Sequence, residues 1–334
     1  MEPSRMILRT QEEITSKWSA TAEPLVAIRC TAFNHEKYIA ECLNGFLAQE
    51  TTFPFEVIVH EDASTDNTAN IIREYEAKYP KIIKPIYETT NQYSKQDGSF
   101  TRIINSHLKR KYIAMCEGDD YWTDPLKLQK QVTFLESHPD YGMCYGIVRQ
   151  YNQAKKAFFT NRGTDFVSFE NYLKTRNNIP TLSTCYRRDL YLQFKSDETI
   201  AQQSWPMGDL PMWLWFTYNS KVKFFPEIFG VYRVLSNSAA HSSNIEKQVN
   251  FYRAGYECAN FFSMHYLGKK LPPYEDHHDR ARLYSTKAHD RKKAYKEYKL
   301  IPHKSRKYKI LTALHSNPVT YLLLRIYYSV KYKQ

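Results

Sequence analysis

Four short apolar runs, separated by segments with helical spacing, most constrain what the first half of this chain can fold into. The runs are 25–30, 55–60, 82–86 and 112–116. Between the first two runs, and again after Asn67, apolar residues recur at the three- and four-residue spacing of a helix. Strands that alternate with helices predict an α/β fold with a mostly parallel central sheet covered by helices.

Three of these runs lead directly into polar clusters, at 31–34, 61–66 and 117–120. The last, Glu117-Gly118-Asp119-Asp120, has three carboxylates in four residues. Because ligands of such sheets bind beyond the carboxyl ends of the strands, the three clusters together predict one functional cleft. Carboxylate oxygens suit Mg²⁺ or Mn²⁺. A solvated acidic turn is the alternative for this tetrapeptide taken alone.

Composition places the chain among folded proteins, with 25% charged and 42% hydrophobic residues. Its 334 residues predict one domain with an appendage. The six cysteines contain no C-x-x-C pair, which favours buried thiols in a reducing compartment over disulfides or a zinc site. We find no secretory signal and no apolar stretch long enough to span a membrane, so we expect a cytoplasmic protein.

The formal charge of +12 is concentrated in the last part of the chain. Residues 245–334 carry 19 Lys and Arg against 7 Asp and Glu, whereas residues 1–244 carry 28 of each kind. The pattern from Ile245 onward is helical and rich in Tyr and Lys. We therefore expect an N-terminal arm (1–23), a catalytic domain (24–244, with halves 24–145 and 146–244) and a helical basic extension (245–334).

Further elements are predicted between these motifs. A helix follows Pro125, a strand is expected at 142–145, a strand at 181–186, and a helix at 210–218.

The order of the motifs resembles the family-two glycosyltransferases, which use nucleotide sugars and have the A-type glycosyltransferase fold. Residues 26–34 resemble the first strand and nucleotide loop of that family, and 61–68 resemble its acidic Ser-Thr-Asp turn. Glu117-Gly118-Asp119-Asp120-Tyr121-Trp122 resembles its D-x-D metal motif, with Glu117 where Asp is usual. The resemblance is strong over 24–145 and weaker to about His241.

The resemblance implies roles for individual residues of this chain. Asp62 would accept a hydrogen bond from the nucleobase, and the turn with Thr31, Ala32 and Asn34 would pack against the base. Asp119 would hold a divalent cation, with Glu117 or Asp120 on the metal or the ribose. Further donor contacts are implied, from weaker patterns, for Asn91, Arg102, Arg233 and His241.

Asp209, at the start of a helix, lies where the family has its catalytic base, and Trp205 and Trp213 nearby offer rings on which a sugar could stack. The alternative role of Asp209 is to cap the helix. We expect Arg233 and His241 to contact the diphosphate from a mobile loop. A solvated arginine and a surface histidine are the alternatives.

The resulting hypothesis is a metal-dependent, inverting glycosyltransferase. It would move a sugar from a nucleotide-diphosphate sugar, foremost a UDP-sugar, to a glycan or lipid-linked acceptor in surface-polysaccharide assembly. The Tyr- and Lys-bordered apolar segment 318–333 favours peripheral binding to an anionic membrane on the inner face of the plasma membrane, with packing on the domain as the alternative.

Two other functions are weighed against this one. A sugar-phosphate nucleotidyltransferase is disfavoured because residues 31–37 contain no glycine for a phosphate loop. A basic nucleic-acid-binding protein is disfavoured because residues 1–244 carry no net charge, so we expect no nucleic-acid partner.

Overall fold

The computed structural model describes residues 9–176, 179–235, 244–302 and 305–331, and this part of the chain forms two compact units. As far as they are described, the first comprises Met1–Gln150, Thr160–Ser204 and Met212–Arg233. The second comprises Tyr151–Phe159, Trp205–Pro211 and Val234–Gln334. Residues 9–23, the described part of the predicted N-terminal arm, belong to the first unit, and the Tyr79 hydroxyl donates to the Arg9 carbonyl at 3.0 Å.

The first half of the chain forms the parallel part of a nine-stranded sheet. Here β1 (Val26–Ala32) pairs in parallel with β2 (Phe55–Glu61) and β4 (Tyr112–Met115), and β2 pairs in parallel with β3 (Ile83–Tyr87). The connections contain α2 (Ile39–Leu47), α3 (Thr68–Lys78) and α4 (Ser99–His107). Because both faces are covered, β1, β2 and β4 consist mostly of buried residues. The predicted α/β fold is confirmed.

The second half of the sheet contains antiparallel pairs. Strand β8 (Cys185–Arg187) pairs antiparallel with β4 and with β6 (Tyr141–Asn152), and β5 (Tyr121–Trp122) pairs antiparallel with β9 (Lys221–Val234). Strand β7 (Ala157–Arg162) pairs with β6. The strand order is β3-β2-β1-β4-β8-β6-β9-β5.

The strand predicted over 181–186 is wrong in its first half. Thr181–Ser183 forms a single 3₁₀ turn, and β8 begins only at Cys185. The Ser183 amide and hydroxyl both donate to the Pro180 carbonyl, at 3.0 Å and 2.7 Å, so hydroxyl residues after the proline close a turn instead. The other helices of this region are α1 (Gln11–Thr15), α5 (Lys127–Ser137), α6 (Phe169–Thr175), α7 (Arg188–Ser196), α8 (Glu198–Ala201) and α9 (Asp209–Asn219).

Helix α2 packs directly on β5, the short strand that follows the acidic motif. The ring centroids of Phe46 and Trp122 are 4.8 Å apart. A side chain at Gly45 would place its Cβ 2.9 Å from the Trp122 backbone, so glycine allows this close approach. The Trp122 indole donates to the Leu182 carbonyl at 2.7 Å. These contacts fix the end of the acidic loop in the core of the first unit.

The second unit contains the helices of the extension, as the helical pattern predicts. Helix α10 is capped by the Asn244 side chain, which accepts the Lys247 amide at 3.1 Å, and it is followed by Gly268 with a φ of 64°. Ala281, Ala294, Tyr298 and Ile301 form a small apolar core. Among the described residues no helix is long and apolar enough to cross a membrane. The helices are α10 (Ile245–Leu267), α11 (Asp276–Thr286), α12 (Arg291–Leu300), α13 (Arg306–Ser316) and α14 (Pro318–Lys331).

Candidate active site

The three predicted polar clusters meet at one edge of the parallel sheet. The register of β1 and β2 places Ala32 opposite Glu61, so the two strands end together. The Asp62 amide donates to the Ala32 carbonyl at 2.9 Å, and the Gly118 amide donates to the Thr31 carbonyl at 2.9 Å. The loops after β1, β2 and β4 are therefore joined through their backbones, as the strand pattern predicts.

The loops after β1 and β2 are also joined by side chains. Asn34 accepts the Thr65 amide through its side-chain oxygen at 2.8 Å, and its own amide donates to the Ser64 hydroxyl at 2.9 Å. Asn34 and Ala63 have positive φ angles of 55° and 58°. This backbone region is costly for alanine, and such strain concentrates at functional sites.

Asp62 holds the loop that follows β3. Its carboxylate accepts the amides of Gln92 at 2.7 Å and Tyr93 at 3.1 Å. The Asn91 side chain donates to the Asp62 carbonyl at 3.3 Å. Asp62 is buried, and each carboxylate oxygen keeps acceptor capacity beyond one hydrogen bond. Asp62 and Asn91 are thus brought together, while the nucleobase contact stays a prediction.

Two of the three acids in the motif have hydrogen-bond donors from the protein. The Thr31 hydroxyl donates to Glu117, and the Arg233 amide donates to Asp120 at 2.7 Å. Burial raises the pKa of the Glu117 carboxyl, and the charge of Arg29 and the Thr31 hydrogen bond oppose this. Burial and then the charge of Asp119 raise the pKa of Asp120 well above its usual value.

Asp119 differs from both neighbours. Its side chain is half-buried, and its carboxylate accepts no hydrogen bond from any residue that the structure describes. Its backbone carbonyl is held by the Arg233 guanidinium at 2.5 Å, so the loop is fixed while the carboxylate keeps its acceptor capacity. Among the three acids, Asp119 is the one whose oxygens can accept a ligand without breaking a protein hydrogen bond seen in the described chain.

Gly118 lets the acidic loop approach the loop after β1. A Cβ at this position would lie 2.8 Å from the His35 ring nitrogen Nδ1 and 3.1 Å from the Thr31 carbonyl oxygen. Separations this short require the neighbours to move. The glycine in the motif is therefore required by packing.

Arg233 corrects one expectation, because it lies in strand β9 and not in a mobile loop. Its side chain is only 4% exposed and forms an ion pair with Glu41. The guanidinium carbon lies 4.5 Å from the centroid of the Tyr121 ring. The pairing of β5 with β9, which places Tyr121 opposite Val231, brings Arg233 to the acidic loop. The phosphate contact assigned to Arg233 stays a prediction, and His241 lies outside the described residues.

The remaining predicted residues lie elsewhere. Arg102 is exposed on α4 and donates to the Asp97 carbonyl at 2.7 Å. Asp209 belongs to the second unit and is the first residue of α9, where its carboxylate accepts the Leu210 amide at 2.8 Å. Burial and then the charge of Asp209 raise the pKa of the Cys258 thiol.

The expectation that Trp213 offers a ring for sugar stacking is wrong. This side chain is 1% exposed and packs against Phe216 and Tyr186. Its neighbours Leu214 and Phe216 on α9 are fully buried as well, so this part of the helix lies in the core. Trp205 is half-exposed and packs against Phe261 with ring centroids 5.5 Å apart. Only Trp205 keeps the surface that stacking requires.

Sequence reasoning missed a buried lysine close to the motif. Lys127 is 0% exposed, and its ammonium donates to the Gln131 side chain at 2.8 Å and to the Thr184 carbonyl at 3.3 Å. The ammonium also lies 4.0 Å from the Trp122 ring centroid. Burial lowers the pKa of Lys127 to about 8. Its spacing of four from Gln131, on the buried face of α5, was the available signal.

The six cysteines are buried free thiols, as the composition predicts. The sulfurs of Cys30 and Cys42 are 4.0 Å apart. Within the described part of the chain, no group of three or more His, Cys, Asp and Glu side chains could hold a metal ion by itself.

Comparison with known proteins decides the family. The sequence model of glycosyl transferase family 2 matches residues 29–192, a segment that includes all three polar clusters. The chain belongs to glycosyl transferase family 2. The predicted family and the enzyme class of a glycosyltransferase are thereby confirmed for this domain. The family match gives no support to the nucleotidyltransferase and nucleic-acid-binding alternatives.

Individual relatives differ in how much of the chain they cover. An uncharacterized protein of Mycobacterium tuberculosis is 36% identical over 225 residues, which is 67% of this chain. The match spans only 62% of the length of that relative. Chondroitin synthase of Escherichia coli is 32% identical over 113 residues, covering 34% of this chain and 16% of the synthase.

A solved structure supports the fold. TarS 1–349 of S. aureus, solved in complex with UDP-GlcNAc, superposes with a TM-score of 0.51 at 17% sequence identity. The match covers 83% of this chain and 81% of that one. It shows a common A-type glycosyltransferase fold.

Proposed function

We propose that this chain transfers a sugar, with inversion, from a nucleotide-diphosphate sugar to a hydroxyl of a glycan or lipid-linked acceptor, and that a divalent cation assists the transfer. The observation that carries the proposal is the contrast between Asp119 and its neighbours. Glu117 and Asp120 have protein donors, whereas the Asp119 carboxylate has none in the described chain. A half-buried carboxylate with open acceptor capacity favours a ligand that brings positive charge.

The residues fit Mg²⁺ or Mn²⁺, because Mg²⁺ is commonly held by one or two carboxylates together with substrate phosphates. Asp119 would be the ligand, and the second oxygen of Glu117 would be the next candidate. Asp120 is less suited, since it is 3% exposed and already accepts the Arg233 amide. A bound cation would act as a Lewis acid that stabilises the departing diphosphate.

The donor nucleotide would lie against the loops after β1 and β2. Asn34 and the Thr31 turn supply the surface for the base, and Asp62, held by the Gln92 and Tyr93 amides, supplies a fixed acceptor for its imide. Arg102 is a further candidate for the donor, since its exposed guanidinium has N–H groups beyond the one that binds Asp97. We favour a UDP-sugar, in keeping with the UDP-GlcNAc complex of TarS.

Asp209 is the residue that we propose as the base. Proton abstraction from an acceptor hydroxyl requires a positioned carboxylate, and Asp209 is the first residue of α9. Trp205, half-exposed and close to it in sequence, is the proposed stacking surface for a sugar.

The acceptor would be presented at an anionic membrane on the cytoplasmic side. Helix α14 exposes an apolar stripe, defined here as Val319, Leu322, Leu323, Ile326 and Tyr327, whose residues are 50% to 65% exposed. The opposite side of the helix packs inward through Tyr321. An apolar stripe on a strongly basic segment suits the boundary of an anionic bilayer.

Donor hydrolysis tests the proposal. The purified chain is incubated with UDP-, GDP- and dTDP-sugars with and without Mn²⁺, and release of the nucleotide is measured. We expect hydrolysis of one nucleotide class that depends on Mn²⁺, and a loss of at least about a hundredfold in Asp119→Ala with unchanged thermal unfolding. Full activity of Asp119→Ala, or no hydrolysis of any donor, would contradict the proposal.

A further inference from the structure

The helical extension contains a cleft that the predicted catalytic residues do not line. It has a volume of about 540 Å³ and is formed by α10, α11 and the residues around the end of α12, all within the second unit. Clefts of this size commonly bind small molecules. The chemistry of its lining decides which class of ligand it fits.

Two tyrosines form an aromatic wall of the cleft. The rings of Tyr256 and Tyr274 stack with centroids 5.5 Å apart and planes inclined by 28°. The Tyr274 hydroxyl donates to Asp279 at 2.7 Å, and the Tyr256 hydroxyl donates to the Leu271 carbonyl at 3.2 Å. Because the hydroxyls are anchored, the rings are held in place. A fixed ring face with negative quadrupole potential suits the C–H face of a sugar ring.

The charged groups of the cleft are arranged in pairs. Asp276 forms ion pairs with Arg253 and with Arg280, the latter at 3.3 Å. Arg280 also binds Glu246 at 2.8 Å. A guanidinium has five N–H donors, so each arginine keeps donors beyond those used in these pairs. These ion pairs fix the planes of the Arg253 and Arg280 guanidinium groups before any ligand binds.

The balance of charge disfavours an anionic ligand. The lining contributes the two guanidinium groups against three carboxylates, those of Glu257, Glu275 and Asp276. His277, also in the lining, pairs with Glu297 at 2.7 Å. Phosphate, nucleotide or a lipid headgroup would therefore meet net negative charge. Donors and acceptors that ion pairs hold in place beside aromatic rings suit the hydroxyl groups of an uncharged sugar.

We propose that this cleft binds a neutral saccharide segment of the acceptor glycan. This inference rests on the proposed function only in naming the acceptor as a glycan. It gives the extension a substrate-binding role that is separate from the membrane contact of α14. It also assigns Tyr256 of α10 and Tyr274 of the loop before α11 to recognition.

Direct binding tests the cleft without any catalytic step. The full chain, without nucleotide, is applied to an array of neutral and acidic oligosaccharides, and the strongest neutral oligosaccharide is titrated by calorimetry. We expect Tyr256→Ala to lose about tenfold in affinity, while Tyr256→Phe, which keeps the ring, stays within about threefold. Glu257→Ala changes an exposed residue of α10 and should lower the affinity for the oligosaccharide about fivefold. This variant tests the proposal if Tyr256→Ala does not fold.

Three results would overturn the inference: no neutral oligosaccharide on the array binds, affinity is equal in parent and alanine variants, or acidic oligosaccharides bind more tightly through Tyr256. Donor hydrolysis is measured on the same preparations. Donor hydrolysis without saccharide binding would contradict only the saccharide-binding role of the cleft. Saccharide binding without donor hydrolysis would contradict the proposed function and would still support the role of the cleft.

Discussion

The Arg233 amide donates to the Asp120 carboxylate at 2.7 Å across 113 positions of sequence. The side chain of the same residue donates to the Asp119 carbonyl and pairs with Glu41. One residue of β9 thus holds two consecutive residues of the acidic loop. The hydrogen bond from the Arg233 backbone amide to Asp120 can form with any residue except proline at position 233. Side-chain variants of Arg233 therefore test the contact with the Asp119 carbonyl separately from the contact with Asp120.

We expect Arg233→Lys to lower donor hydrolysis by about tenfold or more. A lysine can keep the ion pair with Glu41, but its single ammonium lacks the fork that also reaches the Asp119 carbonyl. A loss that comes from the acidic loop should appear mainly in kcat, whereas a loss mainly in KM would indicate the predicted contact of Arg233 with the diphosphate. Arg110→Lys, which changes a partly buried arginine paired with Glu56, is the matched control. Equal kinetics for both variants would contradict the positioning role.

Gly118→Ala should destabilise the protein by roughly 1–3 kcal/mol, because a Cβ would lie 2.8 Å from the His35 ring and 3.1 Å from the Thr31 carbonyl. Relief of these contacts moves the acidic loop, so donor hydrolysis should fall as well. Gly208→Ala is the control for stability, since its Cβ would meet nothing within 4 Å. Urea unfolding of both variants measures the difference. A parent-like midpoint for Gly118→Ala would show that the loop adapts without cost.

Much of the fold and the edge of the site could be predicted because their signals are local. The alternation of apolar runs and helices predicts the parallel strands, and the polar clusters that follow them predict where the loops meet. The pairing of Arg233 with Glu41 spans 192 positions and has no local signal. The burial of Trp213 depends on packing partners such as Tyr186, which no periodicity of α9 identifies. The spacing of four between Lys127 and Gln131 was a local signal. It was missed because charged side chains are usually exposed.

Lys127 should make stability depend on pH in the alkaline range. Burial lowers the pKa of its ammonium to about 8 in the folded protein, whereas an unperturbed lysine has a pKa of 10.5. Between these values the unfolded state binds more protons, so the free energy of unfolding should rise with pH, by on the order of 3 kcal/mol across the window. Lys127→Met removes this contribution. Unfolding of parent and variant in urea from pH 7.5 to 10, with reductant, should give the steeper rise for the parent. Parallel curves would mean that the folded protein does not lower this pKa.

The apolar stripe of α14 should govern binding to lipid vesicles. Leu322 and Leu323 are 56% and 60% exposed, so replacing both with serine removes apolar area without opening the core. At about 25 cal/mol per Å² of apolar surface, the double variant should bind anionic vesicles at least tenfold more weakly in a sedimentation assay. Leu192→Ser changes a leucine that is 42% exposed on α7 in the first unit, and it should bind as the parent does. Raised salt should weaken the parent further, because the basic residues of the extension contribute through charge. Equal binding by the double variant and the parent would mean that the stripe faces something other than lipid.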